Sequence, residues 1–307
     1  MEACGMKAIV LTDFGDANQL ELREISEPSA GTGQVKIRTA ATSVNPADWK
    51  IRQGGLSKRP SPEAPAVLGF DVAGEVVELG TGVDSLKVGD RVMGFVPHCY
   101  AEYVAADADK LTKIPDGLKD VEAAALPLVV TTGVELIDEQ TKPGPGETVL
   151  VTGAVGAVGR SAVYAAKKRG AQVLAGVRSS QKEEAEALGV DEVIAIDDDS
   201  EIDDLPDLDF IADTVGGKTL EKLLPHVRKG GTIGTVLGAP AGASKHDLEV
   251  HAFKAHPDAE ILERMAVAAS RGEFRIPIGR TLPFERAAEA HREAEKGGTG
   301  KIVLTMS

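Results

Sequence analysis

One stretch restricts the fold of this chain more than any other: "ETVLVTGAVGAVGRSAVYAAKKRGAQVLAGVRSS", residues 147–180. A β-branched run ends at Gly153, glycines recur at 156 and 159, an Ala-rich segment with helical periodicity follows, and a second apolar run ends near Val177. Glycines at this spacing carry weight because they sit between a strand and a helix inside one βαβ unit. Gly153 permits a tight turn out of the strand, Gly156 lets backbone approach a pyrophosphate, and Gly159 lets the helix pack closely on the sheet. The free N–H groups and positive dipole end of that helix then face an anion. The pattern assigns a dinucleotide phosphate to Gly153, Ala154, Gly156, Ala157, Val158 and Gly159. The alternative is a helix packed tightly on a sheet that binds nothing.

The end of the second strand selects the dinucleotide. An NAD site places Asp or Glu there to accept from the ribose hydroxyls. This chain has Arg178, followed by Ser179, Ser180 and Lys182, with no acidic counterweight before Glu183. Guanidinium, hydroxyl and ammonium groups at that point suit a 2′-phosphate, so NADPH is expected, with ordinary surface charges as the other reading. Further on, "ADTVGG" (212–217) and "GTVLGAP" (234–240) end two more apolar strands. Loops leaving the carboxyl ends of such strands form the ligand crevice, which makes Val215, Gly216 and Gly238 candidates for its walls.

The rest of the chain divides by texture. The first 110 residues hold short β-branched runs broken by Gly and Pro, which predicts an all-β unit. From about Val121 apolar strands alternate with helical stretches, which predicts a parallel sheet covered by helices on both faces. "DAEILERMAVAASRGE" and "FERAAEAHREAEKG" are read as amphipathic helices and "GKIVLTMS" as a closing strand. The acidic "DDDSEIDD" (197–204) is read as a solvated connection.

A chain of 307 residues with 42% hydrophobic and 27% charged residues is globular and long enough for two domains. Its 48 carboxylates against 34 Lys and Arg leave a formal charge of −14, which argues against nucleic acid and anionic membranes as partners. Cys4 and Cys99 are too few for a disulfide framework, and no run approaches the roughly 18 apolar residues of a membrane span. The expectation is a cytoplasmic protein.

These residues together resemble the medium-chain dehydrogenase/reductase superfamily, specifically its quinone oxidoreductase branch. Besides the glycine turn, the resemblance rests on "SVNPADWKIRQG" (43–54), "LGFDVAGEVVELGTGVDSLKVGDRVMG" (68–94), "ALPLVVTTGVELI" (125–137) and "GKIVLTM" (300–306). It implies an α/β protein with a Rossmann doubly wound parallel sheet, residues 126–256, and a GroES-like β-rich catalytic domain, residues 1–125 completed by 257–307. It also implies an interdomain active site and a homo-oligomer, dimer or tetramer. The zinc-dependent branch has Gly-His-Glu where Gly69, Phe70 and Asp71 stand here, and its first zinc-binding Cys falls near Asn45 and Pro46. A catalytic zinc needs about three protein donors, so no metal is expected. His98, His226, His246, His251, His256 and His291 are each read as surface or packing residues.

By the same resemblance Asn45 lies in the cleft, its amide donating to a substrate oxygen or to the nicotinamide ribose, and Thr132 lies beside the nicotinamide. A turn role before Pro46 and a helix-entry hydroxyl are the respective alternatives. Where the branch often carries a Tyr, this chain has Trp49 and Lys50. Trp49 stacks on a flat substrate or belongs to the core, and Lys50 polarises the substrate oxygen. Asp48 and Arg52 look like scaffold ions. The function implied is NADPH-dependent hydride transfer to a quinone or other small α,β-unsaturated carbonyl compound. An enoyl-thioester or alkenal reductase, or a non-catalytic NADPH sensor, shares the same fold. "ADTVGGKT" (212–219) nearly matches a phosphate-binding NTPase loop but lacks its first glycine.

Overall fold

The computed structural model describes residues 5–55, 66–298 and 300–306; Cys4 lies outside them. Two compact units make up the chain, one of Met1–Leu128 with Pro257–Ser307, the other of Val129–His256.

The first unit begins with β1 (Gly5–Leu11), β2 (Leu20–Ser26), β3 (Gln34–Val44), the short helix α1 (Pro46–Arg52) and β4 (Ala66–Val67). It continues through β5 (Asp71–Leu79), β6 (Arg91–Phe95), β7 (Tyr103–Asp107), β8 (Leu111–Lys113) and α2 (Asp120–Ala124). Helix α3 (Pro127–Glu135) leads into the second unit. There follow β9 (Thr148–Thr152), α4 (Ala157–Lys168), β10 (Gln172–Val177), α5 (Lys182–Glu186), β11 (Glu192–Ala195), α6 (Asp199–Asp203), β12 (Leu208–Asp213), α7 (Gly217–Leu223), β13 (Val227–Thr235) and β14 (Glu249–Ala252). The chain then returns to the first unit with α8 (Ala259–Ser270), β15 (Ile278–Pro283), α9 (Ala287–Lys296) and β16 (Lys301–Thr305).

The long strand β3 organises the first unit, pairing antiparallel with β5, β7 and β16. Val35, Ile37, Thr39 and Ala41 alternate inward along it, the period-2 pattern of a half-buried strand. Among the described residues the sheet runs β15-β16-β3-β5-β6-β8, and a smaller sheet runs β2-β1-β4. Gly74 on β5 has no alternative: a Cβ there would stand 2.1 Å from the Arg38 carbonyl oxygen, where the β3–β5 register shifts.

The second unit is a parallel sheet in the order β11-β10-β9-β12-β13-β14. Its central strands are apolar on both faces, with Val149, Leu150, Val151, Val173, Leu174 and Ala175 all unexposed, as a sheet covered by helices on both sides requires. The strand order reverses between β9 and β12, and in such sheets the crevice outside the carboxyl ends at that point takes the ligand.

Three local expectations need correction. "KTLEKLLPHVRKG" (218–230), one of the stretches with helical periodicity after Val121, is an α-helix only to Leu223: Pro225 interrupts it and β13 begins at Val227. The "DDDSEIDD" segment is not a solvated connection throughout. Asp198 caps α6, whose Ile202 is buried under the sheet edge. Strands β2, β4, β8, β14 and β15 fall outside the β-branched and apolar runs of the sequence reading. No helix among the described residues is long and apolar enough to cross a membrane.

Candidate functional site

In the second unit the glycine turn stands at the carboxyl end of β9. Gly153 has φ of +65°, and a Cβ there would lie 2.5 Å from Thr214 Oγ1. At Gly159 a Cβ would lie 2.1 Å from the Gly153 carbonyl oxygen, so the first turn of α4 rests directly on the bend before it. Gly156 is the exposed N-cap of α4 in extended conformation, and its Cβ would meet only the Gly153 oxygen at 3.1 Å. The N–H groups of Gly153 and Ala154 bond to the Gly176 oxygen at 2.8 and 3.3 Å, and that of Gly156 to the Gly153 oxygen at 2.9 Å. Ala154 is also fully buried, so it supports the bend and does not face a ligand. The donors left for an anion are the first-turn amides of the half-buried Ala157 and Val158, which have no partner within an α-helix.

Beside this turn the ends of β12 and β13 are held by a buried carboxylate that sequence reasoning missed. Asp213 accepts from Thr152 Oγ1 at 2.8 Å, from the Val215 and Gly216 N–H groups at 3.2 and 2.9 Å, and from Thr235 Oγ1 at 2.7 Å. Its sequence signal was an Asp closing an apolar strand. Those two loop amides of "ADTVGGKT" are turned onto Asp213 and are not available to a nucleoside triphosphate. A Cβ on Gly153 would also lie 3.2 Å from Val215, and one on Gly216 would lie 3.0 Å from Leu237. Val215 and Leu237 are exposed apolar side chains, and Gly238 follows with φ of +108°. Val215, Gly216 and Gly238 therefore sit together beside the turn.

At the end of β10, Arg178 is exposed, and its positive charge acts on the Asp197 carboxylate. The expectation of no acidic counterweight here is wrong. Strand β11 lies against β10, and the segment after it supplies two carboxylates: Asp197 accepts from Ser179, and Glu201 from Lys182.

The first unit contains a separate buried polar cluster. Asn45 caps α1 after β3 and is fully buried. Its Nδ2 donates to Asp71 Oδ2 at 2.7 Å and its Oδ1 accepts from the Lys301 ammonium, so the amide is committed inside the protein. Asp71 also accepts from the Ser43 hydroxyl and from the Leu128 N–H at 2.7 Å, and lies 3.4 Å from Lys301 Nζ. Asp48 accepts from the Asn45 N–H at 2.7 Å and the Tyr100 hydroxyl at 3.1 Å, and that hydroxyl lies 3.1 Å from His291 Nε2. Burial, with the Asp71 charge adding to it, pushes the Asp48 carboxyl up to about 7, against the hydrogen bond from the Asn45 N–H. Burial, then the Arg52 charge, pulls His291 down to about 3. Burial and the Asp48 carboxylate raise the Tyr100 hydroxyl well above its ordinary value. Arg52 is unexposed and pairs with Glu295.

Lys50 is half-buried, its ammonium 5.6 Å from the centre of the half-buried Trp49 ring. Thr132 is buried on α3. The histidines are more engaged than expected: besides His291, His251 bonds the Gln140 oxygen at 2.8 Å and His256 Nδ1 lies 3.0 Å from Glu135. Ligand atoms of Glu135, Glu139 and His256 come within 4.8 Å of one another.

Two family models match the chain: Alcohol dehydrogenase GroES-like domain over residues 31–116, and Zinc-binding dehydrogenase over residues 188–304. The chain is 34% identical to a 2-methylene-furan-3-one reductase of Solanum lycopersicum, over 97% of this chain and 79% of that one. It is 32% identical to the chloroplastic NADPH-dependent alkenal/one oxidoreductase of Arabidopsis thaliana, with the same coverage. Among solved structures, the quinone oxidoreductase from Coxiella burnetii superposes with a TM-score of 0.91 at 29% identity, over 99% of this chain and 100% of that one.

Proposed function

The chain belongs to the medium-chain dehydrogenase/reductase superfamily, with quinone oxidoreductases and alkenal reductases among its relatives, and from that premise we propose that it is an NADPH-dependent reductase of quinones or other small α,β-unsaturated carbonyl compounds. The observation that carries the reading is the glycine turn itself: Gly153 at positive φ, Gly159 resting on the Gly153 oxygen in the first turn of α4, and a helix N-terminus placed at the carboxyl end of β9. A nicotinamide dinucleotide fits this arrangement, and when bound it supplies hydride. Gly153, Gly156 and Gly159 shape the pyrophosphate site, Ala157 and Val158 donate through their N–H groups, and Val215, Gly216 and Gly238 form the adjoining wall. The exposed Arg178 favours the 2′-phosphate, with Ser179 and Lys182 beside it.

The residues do not fit a catalytic zinc. Phe70, in the place of a ligating His, offers only an aromatic edge to Phe95, with ring centroids 6.0 Å apart, and the Asp71 carboxylate is occupied by Ser43, Asn45, Leu128 and Lys301. We therefore derive no step through zinc. A conjugated acceptor spreads the charge that hydride addition creates, so placement and hydrogen-bond donors suffice to stabilise it. Lys50 is proposed to polarise the substrate oxygen and Thr132 to orient the nicotinamide. Asn45 holds the loop that carries α1. The reading includes a homo-oligomer, which light scattering of the purified chain tests, and a cytoplasmic location, which cell fractionation tests.

Following NADPH absorbance with a naphthoquinone, an alkenal and an enoyl thioester is the direct test. Consumption with one or more supports the reading and ranks the substrates. Saturable NADPH binding without consumption across the panel would replace it with the sensor, and faster turnover with NADH than with NADPH would overturn the cofactor assignment.

A further inference from the structure

Strands β10 and β11 run parallel in register, with Val177 opposite Ala195, and this sets the segment after β11 against the segment after β10. Asp197 Oδ1 accepts both the Ser179 N–H, at 2.7 Å, and the Ser179 hydroxyl, at 2.8 Å. Glu201 accepts the Lys182 ammonium on both oxygens, at 2.6 and 2.9 Å, and its Oε2 also takes the Ala195 N–H at 2.8 Å, which fixes the carboxylate against the strand. A hydroxyl and a backbone N–H carry one hydrogen each. While Asp197 is in place, Ser179 has no hydrogen left for a phosphate. Lys182 gives two of its three to Glu201.

We infer that Asp197 and Glu201 are specificity-determining residues of the dinucleotide site: they compete with a ribose 2′-phosphate for Ser179 and Lys182, and so limit the preference for the phosphorylated cofactor. This rests on the cofactor reading above. The competition is unequal between the two cofactors. A 2′-phosphate carries negative charge into a corner where two carboxylates already offset the Arg178 and Lys182 charges, whereas a ribose 2′-hydroxyl carries none and donates to a carboxylate. In an NAD site the acid that takes this hydroxyl stands at the end of the second strand; here Asp197 offers the same chemistry from the neighbouring strand. Hydrogen bonds from Ser179 hold the Asp197 carboxyl below its ordinary range, and the Lys182 ammonium does the same at Glu201. Both are therefore charged at neutral pH.

The test uses the full chain and two fragments that differ only in the phosphate, 2′,5′-ADP and 5′-AMP, titrated calorimetrically into wild type, Asp197→Asn, Glu201→Gln and the double variant. Asp197 is exposed, and a Gln at 201 still accepts the Ala195 N–H, so the fold is retained. In the double variant 2′,5′-ADP should bind about 10-fold tighter, the combined effect of two exposed charge pairs, while 5′-AMP tightens by less than about 2-fold. Equal changes for the two fragments, or none for 2′,5′-ADP, overturn the inference and leave the cofactor site standing. A wild-type chain that binds neither fragment refutes the cofactor site itself, and this inference with it.

Discussion

Lys301, the first residue of β16, donates its ammonium to the amide oxygen of Asn45, a residue 256 positions earlier in the chain. The contact joins the closing strand to the cap of α1 and makes Asn45 part of a buried ionic cluster with Asp71. Removing one member of a buried pair leaves the other charge uncompensated, whereas removing both is far less harmful. Lys301→Met should therefore lower the unfolding free energy by about 3–5 kcal/mol in urea titrations, and Lys301→Met combined with Asp71→Asn, which removes the second charge but keeps an oxygen for the Leu128 N–H, by clearly less. A Lys301→Met protein within about 1 kcal/mol of wild type would show that the cluster is not held by charge.

The Asp48 and His291 carboxyl and imidazole give stability two opposing pH slopes. With its pKa raised from 3.8 to about 7, folded Asp48 keeps a proton that the unfolded chain releases, so stability falls as pH rises from about 4 and the loss is complete above about 7. With its pKa lowered from 6.5 to about 3, folded His291 stays neutral while the unfolded chain binds a proton, so stability is lost as pH falls from about 6.5 toward 3. In the shared window the slopes cancel. Asp48→Asn should expose the His291 slope, with stability rising by up to about 1.4 kcal/mol per pH unit between about pH 4.5 and 6.5. His291→Gln should expose the opposite slope. Urea titrations across that range measure both, and parallel curves for the two variants would disprove the assignment.

What was legible in the sequence is what is local. The glycine turn occupies one strand, one bend and one helix, so its spacing reports its geometry: Gly153 is required by its positive φ and Gly159 by its contact with the Gly153 oxygen six residues earlier, whereas the closeness of Gly153 to Thr214 is long-range and was not legible. Strands β14 and β15 were not legible because "EVHA" and "IGRTLP" are short and largely half-exposed, with little apolar alternation. The carboxylates facing Ser179 and Lys182 lie 18 and 19 residues downstream, close along the chain but visible only once β11 is known to pair with β10. Tyr100 and His291 meet across 191 residues, and nothing in either neighbourhood marks the pairing. A lysine or aspartate opening an otherwise apolar strand, as in "KIVLT" and "DVAGEVV", was the available sign of the Lys301 and Asp71 cluster.

Two of the glycines of the turn, Gly156 and Gly159, should separate stability from binding. Gly159→Ala forces a Cβ against the Gly153 oxygen and should cost about 1–3 kcal/mol of stability, as overpacking does. Gly156→Ala meets only one contact at 3.1 Å and should leave stability within about 0.5 kcal/mol. It should nevertheless weaken NADP(H) binding about 10-fold or more, because a side chain at that bend displaces the pyrophosphate. Thermal unfolding with calorimetric titration of the same samples resolves the two effects. Unchanged affinity in Gly156→Ala would move the pyrophosphate away from the turn.

Asp213 should be tolerant of one substitution and intolerant of another. In Asp213→Asn the remaining oxygen still accepts from the Val215 and Gly216 N–H groups, and the new amide donates to Thr235 Oγ1, whose hydroxyl can rotate to accept. Asp213→Ala instead leaves two backbone N–H groups and two hydroxyls without their acceptor, at about 1–3 kcal/mol for each group that water cannot reach. Since Val215 and Gly216 border the glycine turn, the Ala variant should also raise KM for the dinucleotide several-fold with a smaller change in kcat, while the Asn variant stays near wild type in both. Equal losses in the two variants would mean that the negative charge of Asp213, and not its hydrogen bonds to the loop, keeps the strand ends in place.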